Sequence, residues 1–300
     1  MATPPPLQHI TVDGIERNFY AFRPATAAAD SPVISLCHGG GGNAIKILFQ
    51  TEMLEICQDL KFAIIVPEGR HYTPTPPFKP SAEALYWNTG QKDTMDVASP
   101  TPSNDIKFLA TLYQALTPSF ITAGRLIQAG ASNGANMTLY VADQLASQIN
   151  GFAAVACTTS PCNRHVGTLP VPGVIFQGEA DPRISYNGDL DLTRSSGTAF
   201  GHTVNHWLVR NGLPAQPTSV LAMPDIDKSD NCTAKRYDWA GTYPFRVYRN
   251  KGGGHTIPGH RWPELSPDDL DDPPGEVCMD YETFTEVKEF FNTLYGWWDE

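Results

Sequence analysis

The chain has 300 residues, of which 41% are hydrophobic and 18% are charged, so it is long enough to bury a sizeable core. Its 21 basic and 32 acidic side chains give a formal net charge of −11 at pH 7, which argues against nucleic acid as a partner because an acidic surface repels phosphate. No apolar run approaches the roughly 18 residues of a membrane span, and the oligomeric state is left open.

The chain begins with a predicted antiparallel strand pair, Ile10–Val12 and Asn18–Phe22, which turns at Asp13-Gly14. Apolar runs bounded by turn residues predict six further strands: Val33–Cys37, Phe62–Val66, Leu126–Ala129, Gly151–Ala156, Gly173–Phe176 and Phe245–Tyr248. Amphipathic stretches predict helices at 44–60, from Ser103-Asn104-Asp105 onward, and at 135–149, 198–209 and 281–295. Residues 68–103, rich in Pro, Thr and Gly, predict a long irregular excursion.

Short apolar strands that alternate with amphipathic helices favour a mostly parallel central sheet with helices on both faces, which is the α/β class. No internal repeat or Gly/Ser linker divides the sequence. The whole chain, residues 1–300, is therefore predicted to form one domain.

The segment Gly130-Ala131-Ser132-Asn133-Gly134 fits the G-x-S-x-G elbow, in which a nucleophilic serine stands on a tight strand-to-helix turn. It lies between an apolar strand and a helix, as that chemistry requires. A plain strand-to-helix turn with a serine cap is the alternative interpretation. The other parts of a catalytic triad follow in the chain order Ser, Asp, His, so we predict Ser132 to be the nucleophile.

The predicted acid is Asp181, which stands where the chain leaves the strand Gly173–Phe176, and Glu179 is a rival two residues away. The predicted base is His255, which follows the last strand after three glycines, and His260 is a possible substitute. His255 would take the serine proton, while Asp181 would fix its tautomer.

An oxyanion hole needs backbone N–H groups held where negative charge develops. One donor is expected from Asn133, the residue after the nucleophile. The other is expected from the loop His38-Gly39-Gly40-Gly41-Gly42, with Gly40 as first choice and Gly41 as second. No P-loop sequence follows this glycine run, so phosphate binding is not predicted.

No metal site is predicted. The acidic run Asp268–Asp272 lacks the spacing of an EF-hand, and it reads as a solvated loop. His202 and His206 lie four residues apart on a predicted helix, but the H-E-x-x-H pattern and an obvious third ligand are missing.

The six cysteines form no CxxC pair. Cys157 with Cys162, and Cys232 with Cys278, could each form a disulfide, but a sequence does not fix connectivity. Residues 1–7 carry no basic or apolar signal region, so the protein is either cytosolic or begins after a removed signal.

The chain resembles the polyhydroxybutyrate depolymerase/feruloyl esterase family of α/β-hydrolases. The resemblance extends over most of residues 10–295, and the elbow segment 130–137 is its most specific part. The other segments that carry it are Val12-Asp13-Gly14-Ile15-Glu16-Arg17, Cys37-His38-Gly39-Gly40-Gly41, Tyr86-Trp87-Asn88, Gly178-Glu179-Ala180-Asp181 with Tyr186, and Gly253-Gly254-His255.

The chain also departs from the family's pattern. It has Gln177-Gly178 where His-Gly is common, and Thr256-Ile257-Pro258-Gly259 where a Trp is favoured soon after the histidine. Trp262 could supply that aromatic group. Because these changes lie near the expected pocket, they put substrate preference in doubt more than the chemistry.

The resemblance implies the α/β-hydrolase fold and hydrolysis of carboxylic esters through an acyl-enzyme, without metal or cofactor. It implies hydroxyalkanoate oligomers, feruloyl or acetyl esters of plant polysaccharide, or aromatic polyesters as substrates, and it favours a secreted or periplasmic location. Trp87, Trp262 and Gly41 are the candidate substrate-binding residues. The alternatives are an acyltransferase or serine peptidase on the same fold, and a non-catalytic binding module.

Overall fold

The computed structural model describes residues 3–70, 85–89, 104–158, 167–184, 186, 200–260 and 274–298. Much of the excursion predicted over residues 68–103, together with the acidic run Asp268–Asp272, lies outside these ranges. The single-domain organisation stays a prediction.

The strands are β1 (Gln8–Val12), β2 (Ile15–Phe22), β3 (Val33–Cys37), β4 (Ala63–Pro67), β5 (Leu126–Ala131), β6 (Gly151–Val155), β7 (Gly173–Gly178), β8 (Ser219–Ala222), β9 (Thr233–Trp239) and β10 (Phe245–Lys251). In the described part of the chain they form one sheet in the order β1-β2-β4-β3-β5-β6-β7-β10-β9-β8. The six central strands run parallel to one another: β4, β3, β5, β6, β7 and β10. At the two ends of the sheet, β1 with β2 and β8 with β9 are antiparallel additions.

The helices are α1 (Ala44–Gln50), α2 (Met53–Leu60), α3 (Asp105–Leu116), α4 (Asn133–Gln144), α5 (Phe200–Arg210) and α6 (Thr283–Tyr295). Side chains from α3, α4 and α5 share one hydrophobic cluster with Val33 and Cys37 of β3. Side chains from α1, α2 and α6 share a second cluster with Ile34 and Leu36 of the same strand. Because neighbouring residues of a strand point to opposite faces, this alternation places helices on both sides of the sheet, and the predicted architecture is confirmed.

The single helix predicted over residues 44–60 is wrong, because two helices occupy this stretch. Thr51 ends α1, and its hydroxyl donates to the carbonyl of Ile47 at 2.6 Å. Glu52 then takes a left-handed conformation (φ 48°) before α2 begins. The apolar pattern continues through the break because both helices bury their side chains in the same cluster.

The structure differs from the predicted elements at two further places. Strands β8 and β9 were not predicted, because the antiparallel strands added beside the parallel centre lack its continuous apolar runs, and all four residues of the edge strand β8 are exposed. The helix predicted to reach residue 149 ends at Gln144. There the Arg210 guanidinium donates to the carbonyls of Ala142 (3.2 Å) and Asp143 (3.3 Å), which satisfies helix-end groups that would otherwise need a further turn.

This topology decides where functional side chains can meet. The carboxyl ends of parallel strands lie at the same edge of a sheet, and β3, β5, β7 and β10 all belong to the parallel centre. The loops after these four strands carry the predicted oxyanion loop, nucleophile, acid and base. Within the described ranges, no helix has the length and apolar character needed to cross a membrane.

Candidate active site

Ser132 occupies a sharp turn between β5 and α4. Its backbone has φ 56° and ψ −122°, a conformation that ordinary residues rarely adopt. A Cβ on Gly130 would lie 2.3 Å from the carbonyl oxygen of Gly134, and a Cβ on Gly134 would lie 2.2 Å from that of Cys37. Both positions therefore require glycine, so this packing maintains the turn that raises Ser132 above the sheet edge.

The structure brings Ser132, His255 and Asp181 together in one hydrogen-bonded series. The Nε2 atom of His255 lies 2.8 Å from the Oγ atom of Ser132, and its Nδ1 atom lies 2.8 Å from an Oδ2 oxygen of Asp181. An ionised carboxylate only accepts, so Nδ1 carries the proton and Nε2 accepts from the serine hydroxyl. Asp181 and His255 are buried, whereas Ser132 is partly exposed.

Asp181 is held by donors on both oxygens. Its Oδ1 accepts the backbone N–H groups of Arg183 and Ile184, each at 2.8 Å. Its Oδ2 accepts from the Gln177 side-chain amide at 3.2 Å as well as from His255. The side-chain oxygen of Gln177 in turn accepts from the Cys157 backbone N–H at 3.0 Å. Gln177 therefore helps to orient the acid, a role that sequence reasoning missed because it treated this residue only as a departure from a family pattern.

The two rival residues have other partners. Glu179 forms an ion pair with Arg249 on β10. His260 is buried with its Nε2 atom 2.8 Å from an oxygen of Glu282, the residue that caps α6. Neither side chain therefore occupies the position of an acid or base beside Ser132.

Close backbone packing fixes the loop that carries His255. A Cβ on Gly178 would lie 2.3 Å from the carbonyl oxygen of Gly253, and one on Gly254 would lie 2.2 Å from that of Pro274. The Gly254 N–H also donates to the carbonyl of Glu276 at 2.8 Å. The glycines before His255 thus allow its loop to contact both the end of β7 and the segment that leads to α6.

The glycine loop after β3 lies beside the N-terminus of α4. A Cβ on Gly40 would lie 3.2 Å from the Cβ of Asn133 and 3.0 Å from the ring of Tyr86. Among the described residues, no partner accepts from the N–H of Gly40 or of Asn133, whereas the Gly41 N–H donates to the carbonyl of Leu85 at 2.9 Å. These contacts favour Gly40 over Gly41 as the donor that would complement Asn133.

Trp87 does not form an aromatic wall, in contrast to its predicted role in substrate binding. Its side chain is 0% exposed, and its indole N–H donates to the carbonyl of His38 at 2.9 Å. The side-chain amide of Asn133 accepts from the Trp87 N–H at 2.7 Å and donates to the Trp87 carbonyl at 3.2 Å. An aromatic residue in a loop can serve as a wall or as packing, and here it packs behind the glycine loop. Trp262 lies outside the described residues.

His38 holds the glycine loop from within as a neutral imidazole. Its Nδ1 lies 2.8 Å from the carbonyl of Gly39, and its Nε2 accepts from the Gly69 N–H at 3.0 Å. Burial lowers the pKa of His38 from 6.5 to about 4, although its hydrogen bond to Gly39 partly opposes that shift. The ring is thus uncharged at neutral pH.

This burial predicts a pH-dependent loss of stability. The unfolded chain binds a proton at His38 near pH 6.5 and the folded chain only near pH 4, so stability is complete above pH 6.5 and declines as pH falls through this window. At about 1.4 kcal/mol per pKa unit, the loss attributable to His38 is on the order of 3 kcal/mol. Urea unfolding at pH 7 and pH 4.5 should show a smaller change in the His38→Gln variant than in the wild type. Equal changes in both proteins would assign the pH dependence to other groups.

The cysteine pairs have different outcomes. Cys232 and Cys278 are both buried free thiols, so the disulfide considered for this pair is not formed. Burial, helped by the nearby carboxylates of Asp230 and Asp280, raises the pKa of each to about 12. Cys157 is a buried thiol, and its proposed partner Cys162 lies outside the described residues. No cluster of three or more potential metal ligands occurs in the described part of the chain.

Comparison with known proteins gives structural likeness only. No protein-family model matches the sequence, and no curated protein matches it. The fold is similar to that of an acetyl xylan esterase from Aspergillus awamori, with a TM-score of 0.59 and 14% identity over 89% of this chain and 97% of the other. It is also similar to an S-formylglutathione hydrolase from Agrobacterium tumefaciens, with a TM-score of 0.54 and 12% identity over 83% of this chain and 87% of the other.

A third similar structure is Thermogutta terrifontis esterase 2 phosphorylated by paraoxon, with a TM-score of 0.52 and 12% identity over 98% of this chain and 96% of the other. At such low identity the likeness establishes architecture and leaves activity to be argued from the site. Together with the strand order and the helices on both faces, these comparisons show that this chain has the α/β-hydrolase fold.

Proposed function

We propose that this protein is a serine esterase that hydrolyses carboxylic esters through an acyl-enzyme. The observation that carries the proposal is the series Asp181–His255–Ser132, with 2.8 Å between each pair of interacting atoms. A hydroxyl, an imidazole and a carboxylate in this order form an activated nucleophile, and the imidazole is positioned to accept the serine proton.

The proposed mechanism uses the groups in sequence. The Oγ atom of Ser132 attacks the ester carbonyl carbon while its proton moves to Nε2 of His255. The carbonyl π electrons move onto oxygen, where the N–H groups of Gly40 and Asn133 stabilise the negative charge. The intermediate collapses as the imidazolium returns the proton to the leaving alcohol, which leaves Ser132 acylated. Water then attacks the acyl carbon while His255 takes its proton, and the imidazolium returns that proton to the Oγ atom of Ser132 as the bond between Oγ and the acyl carbon breaks, which releases the acid.

The proposed substrates are esters whose scissile segment carries no charge. The formal net charge of −11 penalises anionic substrates but not neutral ones. The resemblance to the polyhydroxybutyrate depolymerase/feruloyl esterase family supports hydroxyalkanoate oligomers, feruloyl or acetyl esters of plant polysaccharide, and aromatic polyesters. The same resemblance supports a secreted or periplasmic enzyme.

Two measurements on the wild-type protein test this proposal. It should hydrolyse p-nitrophenyl acetate with burst kinetics. A fluorophosphonate should add covalently to Ser132, and peptide mass spectrometry would locate the adduct on that residue. A panel of methyl ferulate, a hydroxybutyrate oligomer and an aromatic polyester film would then identify the acyl group. A protein that neither hydrolyses the ester nor reacts with the fluorophosphonate would be the non-catalytic alternative.

A further inference from the structure

Two segments that carry the family resemblance have no role in the triad: the β1–β2 hairpin segment that ends at Arg17, and the segment Tyr86-Trp87-Asn88. Arg17 is an almost fully buried cation, with 5% of its side chain exposed. A buried charge is costly unless it is paired, so its partners indicate what it organises. They lead from β2 to the glycine loop beside Ser132.

Segment 85–89 lies directly against the glycine loop. The Gly41 N–H donates to the Leu85 carbonyl at 2.9 Å, and the Leu85 N–H donates to the Gly42 carbonyl at 3.1 Å. The Trp87 indole N–H reaches the carbonyl of His38 at 2.9 Å. The glycine loop therefore takes its position from this segment.

Segment 68–70 also contacts the glycine loop, through His38, and is bonded to segment 85–89. The Gly69 N–H donates to Nε2 of His38 at 3.0 Å. Arg70 and Tyr86 exchange two backbone hydrogen bonds, of 3.0 and 2.8 Å, which join the two segments. Any movement of segments 68–70 and 85–89 would thus be transmitted to the glycine loop.

The buried ion pair between Arg17 and Asp105 contacts both segments, 68–70 and 85–89. The Arg17 guanidinium donates to the Glu68 carbonyl at 3.0 Å and lies 2.7 Å from an oxygen of Asp105, the first residue of α3. The other Asp105 oxygen accepts the Asn88 N–H at 2.7 Å. The guanidinium also lies 4.0 Å above the ring of Phe108, which restricts its orientation.

We propose that Arg17 and Asp105 are positioning residues for the oxyanion hole: they fix segments 68–70 and 85–89, which in turn fix the N–H of Gly40. This inference rests on the proposed esterase function. Oxyanion stabilisation depends on donors preorganised at the site of developing charge, and a displacement of about 1 Å can lower a rate about 100-fold. The pair therefore acts on kcat through the loop, without touching the substrate.

The chain offers a matched control. Arg210 and Asp143 form a second buried ion pair, with 4% and 0% of their side chains exposed, against 5% and 0% for Arg17 and Asp105. Asp143 also accepts the N–H of Gly167, at 3.2 Å. This pair lies at the far end of α4 from the nucleophile. Breaking either pair leaves a buried charge and lowers stability, but only one pair contacts the segments that hold the glycine loop.

The experiment compares Asp105→Asn with Asp143→Asn. Each variant's kcat and KM for p-nitrophenyl acetate are normalised to the sites that react with a fluorophosphonate, and hydrogen exchange is followed by mass spectrometry in peptides covering residues 38–42 and 85–89. Both variants should unfold at lower urea concentration. Asp105→Asn alone should lower kcat by about 10- to 100-fold with KM nearly unchanged, and should speed exchange in both peptides.

Arg17→Lys provides a second, milder variant. Lysine keeps the charge opposite Asp105 but lacks the planar guanidinium that lies 4.0 Å above the Phe108 ring while its Nη2 atom contacts both Asp105 and Glu68, so kcat should fall by a smaller factor. Wild-type kcat and exchange in Asp105→Asn, or an equal loss of kcat in Asp143→Asn, would overturn the inference. If Asp105→Asn cannot be obtained folded, wild-type kcat in Arg17→Lys overturns it.

The exchange measurement separates this inference from the proposed function. A wild-type protein inactive towards every ester would refute the esterase assignment. Faster hydrogen exchange in peptides 38–42 and 85–89 of Asp105→Asn, but not of Asp143→Asn, would still support the positioning role. An active wild type with unchanged exchange in Asp105→Asn would refute only the positioning role.

Discussion

Replacing Ser132 by alanine is expected to lower kcat for a p-nitrophenyl ester by about six orders of magnitude, as loss of a nucleophile does when the rest of a triad remains. The variant lacks the oxygen that His255 Nε2 contacts at 2.8 Å, so no acyl-enzyme can form. The fold should be retained, because alanine keeps the Cβ and accepts the same φ of 56° as serine. The free energy of unfolding should therefore stay within about 0.5 kcal/mol of wild type.

The matched control is Ser119→Ala, which removes an exposed hydroxyl whose one partner in the described part of the chain is the Leu116 carbonyl, at 3.4 Å. This variant should keep full activity and should still gain the mass of a fluorophosphonate adduct, whereas Ser132→Ala should gain none. Substantial ester hydrolysis by folded Ser132→Ala, at more than a trace of the wild-type rate, would refute Ser132 as the nucleophile.

The fold class could be predicted because the central strands have a simple sequence signature. A strand buried on both faces is apolar at nearly every position, as Ala63–Pro67 is, and only parallel strands covered by helices show this regularly. The elbow could also be predicted, since Gly130 is required by its contact with the carbonyl of Gly134, four residues away on the other side of Ser132. Local constraints of this kind leave a trace in the sequence.

Features that depend on distant partners left no such trace. The burial of Trp87 depends on Asn133 and His38, 46 and 49 residues away along the chain, so its aromatic character alone did not exclude a role in substrate binding. The hydrogen bond from the Gln177 side chain to Asp181 depends on the turn after β7, which places the Asp181 carboxylate beside the end of that strand. The charge of Arg17 gave no indication that its partners would be Asp105 and Glu68.

Replacing Asp181 by asparagine is expected to lower kcat by about 10⁴-fold, and the hydrogen bonds of the site explain why an isosteric change should be so damaging. The Oδ1 atom accepts the N–H groups of Arg183 and Ile184, both at 2.8 Å, so the amide oxygen of asparagine would stay there. The amide NH₂ would then face His255, which would have to accept at Nδ1 and carry its proton on Nε2. An imidazole in that tautomer cannot take the proton of Ser132.

The control for this variant is Glu179→Gln, two residues away, which neutralises a carboxylate paired with Arg249 and should change kcat by only a small factor. Asp181→Asn should also react slowly with a fluorophosphonate, because that reaction too needs the serine proton removed. Hydrolysis by Asp181→Asn close to the wild-type rate, or a larger loss in Glu179→Gln, would show that Asp181 does not orient the base. The geometry argues against both outcomes, since the Asp181 carboxylate is the one that lies 2.8 Å from the imidazole.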